Sequence, residues 1–131
     1  ALLRADRTNF VVVASPRRDT ITEAVWFARQ LDDQGVGVAA AIVNRVQPAF
    51  GSVEDSEAVD IDAAAAGATG DLAALWRNLA ELRRVRAAEL DALEPLVELT
   101  EPAPVALLPL LDEDVHDLAT LDAIASHLFD E

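Results

Sequence analysis

Apolar residues fall along this chain in two alternating rhythms. Short unbroken runs occupy Phe10–Ala14, Val38–Val43 and Val105–Leu108, and longer stretches repeat an apolar residue every three or four positions. Unbroken, partly β-branched runs suit strands buried on both faces, as in a parallel sheet. The first run ends at Ser15-Pro16, and Thr20-Ile21-Thr22-Glu23 then matches a capping box, with Glu23 placed to reach back to the Thr20 amide. Ile21, Val25, Ala28 and Leu31 follow at helical spacing, with Trp26 and Phe27 widening the apolar face. Gly35 stands where a glycine would end that helix, and a second strand over about 37–43 comes within a few residues. The pattern predicts a β-α-β unit with a right-handed crossover.

The rhythm breaks between about 47 and 70. That segment holds Pro48, Gly51, Gly67 and Gly70, five acidic residues (Glu54, Asp55, Glu57, Asp60, Asp62) and the run Ala63–Ala66. It reads as a mobile acidic loop, with room for a helical turn. Helical spacing resumes over about 71–94, capped by Asp71 and striped by Leu72, Leu75, Trp76, Leu79, Leu82, Leu90 and Leu93. This stripe has two readings, a core face packed on the sheet or an interface for a dimer or an apolar client. Arg77, Arg83, Arg84 and Arg86 alternate with Glu81, Glu89 and Asp91, a pattern that sets up i,i+4 pairing. Pro95 is expected to end the helix, and Pro102 and Pro104 frame a third strand. A last helix over about 114–129 carries Val115, Leu118, Leu121, Ile124 and Leu128, with Asp112, Glu113 and Asp114 suiting the dipole at its start. The fold class is therefore α/β: one domain over 1–131, three layers, and a mostly parallel sheet of about three strands flanked by helices.

Composition narrows the functions. A formal net charge of −14 over 131 residues repels phosphate backbones and argues against nucleic acid as a partner. Without cysteine there is neither a disulfide nor a thiolate metal site. No stretch reaches the ~18 apolar residues of a membrane span, so a cytoplasmic, soluble domain is expected. All ten basic residues are arginine. A Walker A loop needs a lysine for the β- and γ-phosphates, so that loop is absent. The chain begins with Ala1 and has no methionine, which sets the expectation of a piece of a longer protein.

Candidate chemistry sits at the strand ends. In open α/β sheets, ligands lie beyond the carboxyl ends of the strands. Asn44, in Val43-Asn44-Arg45-Val46, offers both a donor and an acceptor to a purine edge. The bland alternative is a turn asparagine bonding its own backbone. Asn-Arg is similar to the start of an NKxD base-recognition signature, but Gln47 stands where its carboxylate would be. The group that would select guanine is missing, and adenine is the expected base. After strand three, Pro109-Leu110-Leu111 can lay apolar atoms and backbone amides against a base, or can simply join strand to helix. His116 and His127 lie eleven positions apart on one helix, too far to share a metal ion, and read as structural or solvated histidines. No carboxylate pair stands out for acid–base work, so no catalytic residue and no metal ligand is assigned.

The order FVVVASP, amphipathic helix, VAAAIVNRV, helical insert, PVALLPLLDEDV, amphipathic helix resembles the C-terminal part of the ArsA-type anion-transporting ATPases. That family includes the ATPase that targets tail-anchored membrane proteins, within the MinD-like branch of P-loop NTPases. The resemblance covers nearly the whole chain. It implies an ATP-binding hydrolase that couples hydrolysis to anion efflux or client targeting, with ATP and Mg²⁺ as cofactors of the parent protein. By the resemblance, Asn44 contacts adenine with Arg45 beside it, and Pro109, Leu110 and Leu111 form the adenine-contacting loop. Thr8 occupies the polar position before strand one. The phosphate-handling N-terminal part would be the first partner, with a second copy or a paralogue, and an apolar client or the membrane periphery, as others. Tight nucleotide binding and turnover are not expected of this chain alone. The cysteine pair that clips some relatives together through zinc is missing, and Asp114-Val115-His116-Asp117 departs from the family pattern after the Pro-Leu loop. The competing expectation is a non-catalytic α/β interaction domain that has lost nucleotide binding.

Overall fold

The computed structural model describes residues 8–50 and 61–129. Three parallel strands, β1 (Phe10–Ala14), β2 (Val38–Val46) and β3 (Val105–Pro109), form one open sheet in the order β1-β2-β3. Helix α1 (Arg18–Asp33) crosses from β1 to β2. A short α2 (Ile61–Gly67) and a long α3 (Gly70–Thr100) precede β3, and α4 (Leu118–Phe129) follows it. The α/β class and the three-stranded sheet are as the sequence predicts, and the sheet, expected to be mostly parallel, is parallel throughout among the described residues.

The core forms on one face of the sheet. Val12, Ala14, Ala41 and Val43 from the strands meet Ile21 and Ala24 of α1 and Leu93 and Leu96 of α3. Both crossover helices share that face, as right-handed connections between strands in sequential order require. Side chains alternate across a strand, so Leu108, next to Leu107, points to the opposite face. There it is buried, and it lines a cavity together with Ile124 and His127 of α4. Helices thus flank both faces, but the second layer is thin. Val11 and Val13 are 49 % and 63 % exposed, and among the described residues β1 pairs only with β2.

Helix ends depart from the sequence expectations in instructive ways. α1 starts two residues before Thr20, so no capping box forms there. The Thr20 hydroxyl instead donates back to the Ser15 carbonyl at 2.8 Å, and Asp19 accepts the Thr20 amide at 3.0 Å. Asp19 is also paired with Arg17 at 2.9 Å. At the other end Gly35, at φ +71, closes a Schellman turn: its N–H reaches Asp32 O at 2.8 Å and Val36 N–H reaches Leu31 O at 2.9 Å. α3 runs to Thr100 with Pro95 inside it, past the predicted end at about 94. Ala92, Leu93 and Leu96 seat this stretch against α1 and the sheet, and burial there outweighs the bond that proline cannot make.

α4 begins at Leu118, four residues later than predicted, because Asp117 is the better cap. Asp117 Oδ1 accepts the Thr120 amide at 2.9 Å, and Thr120 Oγ1 accepts the Asp117 amide at 3.2 Å. These reciprocal bonds form a capping box, leaving Asp112, Glu113 and Asp114 in the connecting loop. The predicted acidic loop contains the helix α2, while its residues 51–60 lie outside the described residues.

Candidate functional site

The carboxyl end of β2 is irregular for a readable reason. Val43 and Val46 are both fully buried, at 0 % and 1 % exposure, yet strict alternation would put residues three apart on opposite faces. One extra residue must be absorbed between them. Arg45 does this with a left-handed backbone at φ 65, and the β2–β3 register breaks between Val43 and Val46. Asn44 and Arg45 are left exposed at the sheet's end. A left-handed arginine is strained.

The chain leaving β2 is then clamped to α3. Glu89 Oε2 accepts the Gln47 amide at 2.7 Å, and the Arg86 guanidinium donates to the Gln47 carbonyl. Arg83 donates twice to the Phe50 carbonyl, at 3.0 and 3.3 Å. On the other side, the Leu110 amide donates to Val46 O at 2.8 Å. One backbone bond therefore ties the β2 end to the loop after β3. Of the charges expected to pair within α3, Arg84 and Glu81 meet at 3.5 Å.

These ties bring Asn44, Arg45, Pro109, Leu110 and Leu111 around one cavity of about 260 Å³. Leu108, Val115 and Ile124 complete its apolar wall, and Glu113, Asp114 and His127 supply polar groups. The His127 Nδ1 lies 2.7 Å from the Ala123 carbonyl, which can only accept, so Nδ1 carries the proton. The sequence did not single out Glu113, Asp114, Val115, Ile124 or His127 for this cavity. Val115 and Ile124 were visible only as a helical stripe, and His127 had no nucleophile or ligand near it to mark it. The signal that was available is their distance of one loop and two helical turns beyond Pro109 in a strand–loop–helix unit.

A second, shallower concavity of about 510 Å³ lies beyond β1. Val11, Val13, Ser15, Thr20 and Phe27 line it, and Asn44 and Arg45 form its border with the first cavity. Neither concavity gathers metal ligands: no cluster of three His, Asp or Glu side chains able to hold an ion occurs among the described residues.

Fold and cavity together define an open parallel α/β sheet with a cavity at its carboxyl ends. No family model matches the chain, and no curated protein matches it.

Proposed function

We propose that this chain is the base-recognising side of an ATP-binding ATPase of the ArsA-like, anion-transporting type. The observation that carries the reading is the meeting of Asn44 and Arg45 with Pro109, Leu110 and Leu111 around one cavity at the strand ends. At about 260 Å³ the cavity falls just below the ~300–1,000 Å³ of pockets for whole small ligands. That size suits a planar base. Apolar walls from Leu108, Leu111 and Ile124 would sandwich the ring, and the Asn44 amide would bond its edge. Arg45, left-handed at the border of both concavities, would lie over the sugar and first phosphate.

The phosphate end of ATP does not fit the described residues. They include no lysine, no glycine-rich phosphate loop and no cluster for Mg²⁺. Under this proposal no hydrolytic step falls to the residues of this chain. In this reading an upstream part supplies the phosphate and Mg²⁺ machinery and packs against β1, whose outward Val11 and Val13 are uncovered. Further partners in this reading are a second copy or a paralogue, and an apolar client or a membrane partner. Their support is the exposed apolar start of α3, where Leu72 and Leu75 are 56 % and 65 % exposed. No helix among the described residues is long and apolar enough to cross a membrane.

The same exposed surfaces favour the second reading, a non-catalytic interaction domain. Equilibrium dialysis with labelled ATP separates the two. The longer gene product should bind and the Asn44→Ala variant should bind at least about tenfold more weakly, the loss of roughly one polar contact to a buried base. Absence of nucleotide binding in the longer product would leave the interaction domain standing.

A further inference from the structure

Resting on the adenine reading above, we propose that His127 is a specificity residue that accepts a hydrogen bond from the 6-amino group of the base. His127 lies on the last turn of α4 and lines the same cavity as Asn44. Its tautomer is set by its own helix. The Ala123 carbonyl, 2.7 Å from Nδ1, has no proton to give, so the neutral ring carries its proton on Nδ1. In that neutral form Nε2 is left as an acceptor. A 6-amino purine presents two N–H donors, and a 6-oxo purine presents a carbonyl whose lone pairs would oppose those of Nε2.

The rest of the cavity agrees in sign. Apart from the Asn44 amide, its polar side chains are Glu113, Asp114 and Arg45. Two of these are acceptors when ionised, and the single cation sits at the border of the two concavities. An acceptor-rich wall favours a base edge that donates. Gln47 does not line the cavity, and its backbone N–H and C=O are bonded to Glu89 and Arg86.

Ligand chemistry can test this without relying on one variant. NMR-detected titration of the 131-residue chain reads weak binding and would compare adenosine, purine riboside (which lacks the amino group) and inosine. Wild type should prefer adenosine to purine riboside by about three- to tenfold, the range of one neutral hydrogen bond, and should bind inosine more weakly still. In His127→Phe, which keeps the ring and drops the acceptor, adenosine and purine riboside should bind equally, with purine riboside unchanged. His127→Gln, which restores an acceptor, should recover part of the preference. If wild type binds adenosine and purine riboside equally, or if His127→Phe keeps the preference, the role of His127 is overturned while the adenine reading stands. If wild type binds none of the three, the role of His127 falls, and the ATP-binding test above decides the adenine reading.

Discussion

Arg45 holds a conformation that glycine adopts with less strain, and the trade can be measured. Arg45→Gly should raise stability by roughly 1 kcal/mol in chemical denaturation, since a left-handed L-residue costs about 1–2 kcal/mol and the entropy of glycine returns part of it. Under the proposed function, the same variant should weaken adenosine binding. Gly35 is the opposite case. At φ +71 it closes α1, and Gly35→Ala should cost about 1 kcal/mol although open space surrounds it. Acid sensitivity also resolves to single residues. Hydrogen bonds from the Thr120 amide and hydroxyl hold the Asp117 carboxyl below the usual carboxylate range. The hydrogen bond from Arg17, and then the Thr20 amide, do the same for Asp19. Both pKa values are depressed in the folded chain, so their contributions are present above the unfolded value of about 3.9 and are lost as pH falls through the folded values. Circular dichroism between pH 5 and 2, as an approximate window, should show α4 fraying on acidification, and Asp117→Asn should flatten that response.

Among the elements, α3 has two halves with different work. Leu93 and Leu96 are buried in the core at 3 % and 0 % exposure, while Leu72 and Leu75 near its start lie open. Leu96→Ala should therefore cost about 2–5 kcal/mol. Leu75→Ala should change stability by less than about 0.5 kcal/mol in the isolated chain. Equal costs would show that the start of α3 is buried. The sequence left this stripe open between core and interface because apolar spacing is the same in both halves. What divides them is the reach of the sheet, which helical periodicity does not encode. The strands were legible because their runs are unbroken and β-branched. The boundary at Pro95 was misread because tertiary burial beside it overrides a local breaker. The α4 start was misread because four acidic residues compete for the cap, and only Asp117 has a threonine three positions on. As for the candidate site, Asn44, Arg45 and the Pro109 loop were legible from their place at strand ends. The bulge that turns Asn44 outward was not, since it follows from Val43 and Val46 both being buried. The clamp from Glu89, Arg86 and Arg83 to the segment Gln47–Phe50 was hidden too, as those charges also suit pairing along the helix.

At the scale of the whole molecule, the described residues cover one sheet face well and the other thinly. Covered faces on both sides are the rule for parallel sheets, and β1 carries no charge or proline to blunt its edge. This asymmetry suits a chain that shares its sheet with a further part, as the proposed ATPase requires. Val13→Glu should leave this chain folded, within about 0.5 kcal/mol of wild type, because Val13 is exposed. The central claim is that the cavity between β2, the Pro109 loop and α4 takes an adenine base. Chemical-shift mapping with adenosine tests it most directly. The account predicts perturbations gathered at Asn44, Arg45, Leu110, Leu111, Val115 and His127, lost in Asn44→Ala. Perturbations centred elsewhere, or none at saturating adenosine, would contradict it.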